Sequence, residues 1–146
     1  MSKQRIIVVG NGMVGHKFID TIIGNEESEF EVITFSEESR LAYDRVQLSY
    51  FFSGKTADDL ALTDAAYYEE NGIKFVLNDK VVELDFENKN VITASGRVES
   101  YDKLVLATGS FPFVPPIPGN EQEHCHVYRT IDDLKDITKS GETSKV

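Results

Sequence analysis

One cysteine, Cys125, stands in 146 residues. A single thiol excludes an internal disulfide framework, an all-cysteine zinc site and a cysteine-bound iron–sulfur cluster. Basic residues are scarce as well: 15 Lys and Arg face 25 Asp and Glu, for a formal net charge of −10. Nucleic acid and anionic membrane both need a basic face, so neither is expected as a partner. Long apolar runs are missing too. The run from Ile6 to Gly10 falls far short of the roughly 20 residues that cross a bilayer. No basic-then-apolar secretion signal precedes it. A cytoplasmic, reducing compartment is the expectation. What is present is enough to fold: 40% hydrophobic and 10% aromatic residues mark neither a disordered chain nor a solvated tail. The length suits one domain with one core, burying roughly 70% of its unfolded surface. It can equally be less than a functional unit.

The order of elements narrows the fold class to α/β. Arg5 to Val9 is a β-branched run ending at Gly10, the pattern of a buried parallel strand. Met13 to Ile23 comes next as a helix with Val14, Phe18 and Ile22 as its apolar stripe, stopped by Gly24-Asn25. Glu26, Glu27 and Glu29 fall in the next loop, and Glu31 to Phe35 is a second apolar strand. Strand, helix, strand makes a βαβ unit. Residues 37–54 show no sustained period and predict a functional loop with a short helix. Thr63-Asp64 caps a helix running to about Asn71, with Gly72 ending it. Ile73 to Leu77 is a strand. Lys80 to Phe86, Val91 to Ala94 and Val98 to Tyr101, parted by two tight turns, predict a three-stranded antiparallel meander. Lys103 to Ala107 returns as a buried apolar strand. Pro112, Pro115, Pro116 and Pro118 stiffen the segment after that strand, and Thr130 to Lys139 is a last helix.

Gly10-Asn11-Gly12-Met13-Val14-Gly15 fits G-x-G-x-x-G directly between a strand and a helix. Gly10 permits the tight turn, Gly12 leaves room for a pyrophosphate, and Gly15 lets the helix pack close to the strand. The unpaired N–H groups of the first helical turn then face phosphate oxygens. Glu37 lies just past the second strand, about 20 residues beyond Gly15, where a carboxylate would accept from adenosine ribose hydroxyls. The bland alternative is a glycine-rich turn beside a solvated acidic loop. The turn by itself does not separate FAD from NAD.

The rest of the chain does. A strand–meander–strand order ending in Ala107-Thr108-Gly109 resembles the FAD domain of flavoprotein reductases with two dinucleotide-binding domains, the relatives of glutathione reductase. Arg40-Leu41-Ala42-Tyr43-Asp44-Arg45-Val46-Gln47-Leu48-Ser49 is similar to the R-x-x-Y-D-R-x-x-L-S segment of one branch. That branch holds the ferredoxin and rubredoxin reductases and the large subunits of NAD(P)H-dependent nitrite reductases. The opening Ile6 to His16, Tyr101 to Ser110 and Val127 to Leu134 look most like the nitrite-reducing members.

The resemblance implies a Rossmann-like FAD-binding domain, incomplete at 146 residues, with residues 1–146 its N-terminal part. It implies that Gly10, Asn11, Gly12, Met13, Val14 and Gly15 hold the pyrophosphate beside Ala107, Thr108 and Gly109, and that Glu37 takes the ribose. By the same resemblance Val81 meets the adenine through its backbone, Arg40 lies nearer the adenylate, Arg45 meets the flavin side, and Arg129 meets the flavin or its phosphates. A cation there would ease flavin reduction, which adds negative charge to the ring. A surface salt bridge is the bland alternative for each arginine. Some members carry a lysine after the Leu-Ser pair, where this chain has Tyr50, so a flavin-adjacent lysine does not carry over.

The resemblance also implies a parent enzyme. NAD(P)H would bind a second G-x-G-x-x-G domain, which this sequence lacks, and iron–sulfur and sirohaem centres elsewhere would reduce nitrite to ammonium. No residue of this chain is then a general acid, base or nucleophile. Partners would be FAD and the remainder of that enzyme, and exposed apolar sheet edges could pair with a second copy. A rubredoxin- or ferredoxin-type reductase and a non-redox nucleotide-binding module are the competing readings. His124-Cys125-His126 supplies two imidazoles at most on one face, too few to close a tetrahedral metal site. His16 reads as a helix-surface residue, and Tyr67 and Tyr68 read as packing.

Overall fold

The computed structural model describes residues 3–25 and 29–144. The loop expectation for Glu26 and Glu27 lies outside the described residues. The chain divides into two units, Met1–Tyr43 with Ala61–Gly109 and Asp44–Leu60 with Ser110–Val146.

The first unit is built on a four-stranded sheet. Its elements run β1 (Gln4–Val9), α1 (Met13–Ile23), β2 (Phe30–Phe35), α2 (Ala65–Glu70), β3 (Lys74–Val76), β4 (Val81–Asp85), β5 (Asn90–Thr93), β6 (Val98–Ser100) and β7 (Lys103–Leu106). The sheet order is β3-β2-β1-β7, and every pairing in it is parallel, with Ile7 opposite both Ile33 and Leu104. The predicted meander is present as a separate antiparallel sheet in the order β4-β5-β6. The fold class is therefore mixed α/β, as the order of apolar runs predicts.

Alternation along β1 explains the core. Successive side chains point to opposite faces, so Ile6 and Val8 join Ile19, Val32, Tyr68 and Ile73 in one cluster. Ile7 and Val9 join Ile33, Phe35 and Val91 in another. Helices cover the first face and the meander covers the second, which a parallel sheet requires because both of its faces are apolar. The expectation of a single core is corrected to two clusters sharing one sheet.

Two further expectations change. Val14 is 72% exposed; the buried line of α1 is Gly15 and Ile19, flanked by Phe18, Ile22 and Ile23. The helix is rotated so that its glycine, not a valine, meets the strands. β7 is an edge strand rather than a buried one, and Leu106 is 57% exposed.

Local signals set the element ends. The Asp64 carboxylate accepts from the Tyr67 N–H at 2.7 Å and opens α2. The meander turns on Asp79, whose carboxylate accepts from the Ser95 N–H at 3.1 Å and the Ser95 hydroxyl at 2.7 Å. The Ser95 hydroxyl, before other contacts, holds the Asp79 carboxyl below its ordinary range.

The second unit holds a 3-10 helix over Leu48–Ser53 and α3 over Ile131–Thr143. These two pack on each other, with Leu48, Leu60, Ile131 and Leu134 buried. The short helix expected within residues 37–54 is this one. Helix α3 continues past the predicted end at Lys139, through Ser140 and Gly141. Its start is a capping box: the Thr130 hydroxyl accepts from the Asp133 N–H at 3.2 Å, and the Asp133 carboxylate accepts from the Thr130 N–H at 2.7 Å.

Candidate functional site

Strand β1 is the point where the sheet order reverses. The chain leaves it toward β2 and β3 on one side and returns from the meander to β7 on the other. Open parallel sheets leave a crevice beyond the carboxyl ends of their strands at such a point. The turn of residues 10–15 occupies that place.

Gly10 has φ +104°, and a Cβ there would land on the carbonyl oxygen of Ala107. Its N–H donates to the Phe35 carbonyl at 2.8 Å, and the Ala107 N–H donates to the Val9 carbonyl at 2.8 Å. The ends of β1, β2 and β7 are thus tied together at one glycine. Gly15 is buried, and a Cβ on it would land on the Gly10 carbonyl oxygen and touch the Ala107 side chain at 3.6 Å. The close approach expected of Gly15 is therefore against the turn itself as well as β7.

Gly12 is different. It is the N-cap residue of α1, with no side-chain cap, and a Cβ on it would meet no heavy atom within 4 Å. No contact in the protein demands glycine here, and the space in front of it is open. The first helical bond runs from the His16 N–H to the Gly12 carbonyl at 2.9 Å. The N–H groups of Met13, Val14 and Gly15 therefore have no acceptor inside the helix. Met13 and Val14 are exposed. An open glycine before free helical N–H groups suits an anionic phosphate.

The Asn11 side chain points inward, where it is buried. Its Oδ1 accepts from the Ala42 N–H at 2.8 Å. Its Nδ2 donates to the Tyr68 hydroxyl at 2.9 Å and, at 3.5 Å, to Thr34 Oγ1. Only the backbone of Asn11 is left to face a ligand. His16 is half-buried rather than a plain surface residue: its Nδ1 lies 2.9 Å from the Tyr68 hydroxyl. Burial, ahead of the charges of Asp20 and Lys17, pushes its pKa down. Tyr68 is more than packing. No spacing rule links it to Asn11 or His16, and the polar half of this cluster leaves no mark in the sequence.

Beyond β2, Ser36 is anchored from both sides: its N–H donates to the Val76 carbonyl at 2.9 Å, and its carbonyl accepts from the Asp79 N–H at 3.0 Å. Glu37 is exposed and pairs with Lys80 at 3.3 Å. A half-exposed pair of this kind is worth little, so Glu37 is free to turn to a ribose at small cost. Glu38 accepts instead from the Tyr43 hydroxyl at 2.7 Å. Arg40 is half-buried in this unit. Val81 opens β4 opposite Thr93, and pairing resumes at Glu83 with Ile92, so Val82 is the extra residue of a bulge. Bulges re-aim the chain next to binding sites. The first unit therefore holds Gly10–Gly15, Glu37, Arg40, Val81 and Ala107, Thr108 and Gly109.

The second unit holds the other two arginines and brings them together. Arg45 Nη1 donates to the Arg129 carbonyl at 2.9 Å. Arg129 Nε donates to the Ser110 carbonyl at 3.2 Å, and its N–H donates to the Asp133 carboxylate at 2.9 Å. Phe111 and Phe113 are exposed. Cys125 is exposed, and its thiol donates to the Gly119 carbonyl at 3.4 Å. Among the described residues, no group of three or more His, Cys, Asp or Glu could hold a metal ion. No helix among them is long and apolar enough to cross a membrane.

A family model described as pyridine nucleotide-disulphide oxidoreductase matches residues 4–146. The NADH nitrite reductase large subunit of Escherichia coli (strain K12) is 43% identical over 99% of this chain and 17% of its own length. The NAD(P)H nitrite reductase of Bacillus subtilis (strain 168) is 41% identical over 99% of this chain and 18% of its own. The chain thus spans under a fifth of these relatives. Among solved structures, NADH:rubredoxin oxidoreductase from Clostridium acetobutylicum superposes with a TM-score of 0.85 at 25% identity, covering 99% of this chain and 37% of that one.

Proposed function

Because the chain belongs to the pyridine nucleotide-disulphide oxidoreductase family, we propose that it is the FAD-binding part of a flavoprotein oxidoreductase, an NAD(P)H-dependent nitrite reductase. One observation carries the cofactor reading: Gly12 faces open space at the start of α1, where three N–H groups have no acceptor inside the helix. The identity of 43% to a nitrite reductase large subunit supports that parent over a rubredoxin- or ferredoxin-type reductase.

The chemistry FAD supplies when bound is acceptance of a hydride from NAD(P)H and delivery of single electrons. The residues of this chain bind and tune. Gly10, Gly12 and Gly15 with the backbone of Asn11, Met13 and Val14 receive the pyrophosphate. Glu37, released from Lys80, accepts from the ribose, and its charge disfavours a 2′-phosphate. Val81 offers backbone to the adenine, Arg40 serves the adenylate, and Ala107, Thr108 and Gly109 border the cofactor. Arg45 and Arg129 offset the negative charge that reduction brings. The nicotinamide site, the iron–sulfur cluster and the sirohaem that reduces nitrite to ammonium belong to the rest of the parent, in the cytoplasm.

Titration of the purified chain with FAD, read by quenching of flavin fluorescence, tests the cofactor. Saturable, weak binding is expected, together with no oxidation of NADH by nitrite. Absence of any quenching removes the cofactor reading. NADH–nitrite turnover by these 146 residues would show that the chemistry needs no other part.

A further inference from the structure

The strongest unused feature is the buried polar chain Asn11–Tyr68–His16, which lies wholly within the first unit. Its proton order can be read from its partners. The Ala42 N–H donates to Asn11 Oδ1 at 2.8 Å, which fixes the amide orientation and leaves Nδ2 as donor to the Tyr68 hydroxyl at 2.9 Å. Tyr68 has no exposed surface, so its own hydrogen needs an acceptor. Nδ1 of His16, 2.9 Å away, is that acceptor. An imidazole accepting at Nδ1 carries its hydrogen on Nε2.

Resting on the cofactor reading above, we infer that Tyr68 is a positioning residue of the phosphate-binding turn, holding Asn11 from α2 while fixing the His16 hydrogen on Nε2. Asn11 lies between Gly10 and Gly12, so anchoring its side chain to Thr34, Ala42 and Tyr68 fixes the backbone of the turn without touching a ligand. His16 sits in the next helical turn, and a second proton, at Nδ1, would leave the Tyr68 hydrogen with no acceptor. The charged and titratable groups around the ring are Asp20 and Lys17 on α1 with Tyr67 and Tyr68 on α2. Asp20 favours the imidazolium, Lys17 opposes it, and burial outweighs both. The turn therefore meets phosphate with a neutral imidazole beside it.

Long-range 15N NMR of the histidine rings in the FAD-free chain tests the proton order. The Nε2–H tautomer is expected for His16, and Tyr68→Phe should shift the Nδ1 signal, which loses its hydrogen-bond donor. An Nδ1–H tautomer, or an Nδ1 signal unmoved by Tyr68→Phe, overturns the assignment. The wild-type spectrum alone decides this point if the variant does not fold. For the positioning role, Tyr68→Phe should shift the amide signals of residues 10–15 and weaken FAD binding about fivefold, the loss of one neutral hydrogen bond. Unmoved amides in a folded variant overturn that role. Failure of the wild-type chain to bind FAD would count against the cofactor reading alone, since the tautomer and amide shifts are read without FAD.

Discussion

Three glycines share one motif and differ in what they forbid. A methyl group on Gly15 would collide with the Gly10 carbonyl oxygen, which is backbone and cannot swing away. Gly15→Ala should therefore destabilise the fold by about 1–3 kcal/mol, the cost of overpacking a tight site, visible as a lower urea midpoint. The Cβ that Gly12→Val adds meets open space. The substitution should lower the urea midpoint less than Gly15→Ala does, by the loss of a glycine N-cap alone, while abolishing FAD quenching, because the added carbons fill the approach of the pyrophosphate. Equal loss of stability in both variants would argue that Gly12 is structural. Sequence spacing marks all three as one motif, and only the surroundings of each separate the packing glycine from the open one. The same limit hides Tyr68: a tyrosine in a short helix has no period or spacing that ties it to a turn 57 residues earlier.

At the scale of elements, legibility tracks the strength of local punctuation. The bounds of α1 at Met13 and Ile23 are readable because a glycine turn precedes it and Gly24 closes it. The three strands of the meander are readable from alternation between short polar turns. Burial is harder to read. Val14 has the spacing of the first residue in an apolar stripe, yet Gly15 makes the close contact, since the tightest packing favours the residue with no side chain. Leu106 reads as buried because its strand is apolar, but its exposure depends on sheet order, which no local pattern encodes. The end of α3 is misplaced from sequence because Gly141 resembles a stop. Here Gly141 is helical, and a Cβ on it meets nothing within 4 Å. Gly141→Ala should then raise stability by roughly 0.5–1 kcal/mol through lower entropy of the unfolded chain. Thr130→Ala, which removes the capping box at the other end, should cost about 1 kcal/mol. Opposite shifts in thermal midpoint check both, and a destabilising Gly141→Ala would mean the helix ends earlier.

For the whole molecule, the net charge of −10 predicts self-repulsion at neutral pH that eases on acidification. The local shifts run the other way. Hydrogen bonds hold five carboxyls among the described residues below their ordinary range: Asp79 by Ser95, Glu31 by Lys74 and then Arg5, Asp59 by Thr56, Asp85 by Asn88, and Asp20 by Tyr67 and then Lys17. Depressed carboxyls contribute stability that is present above their unfolded values of about 4 and lost as pH falls through the folded ones. His16 is also depressed, so the unfolded chain takes a proton near pH 6.5 before the folded chain does. That difference removes stability as pH falls below about 6.5, with a slope of at most one proton. In 1 M NaCl the Debye length is about 3 Å, which suppresses the global repulsion and leaves these local contributions. Urea unfolding in 1 M NaCl should therefore show a shallow loss of stability starting below pH 6.5 and a steeper one below about pH 4.5. His16→Asn should flatten the first stage and leave the second. A wild-type curve that rises from pH 7 to pH 5.5 in high salt would show that His16 is not held neutral by the fold. With it would go the reading of a neutral imidazole beside the phosphate-binding turn.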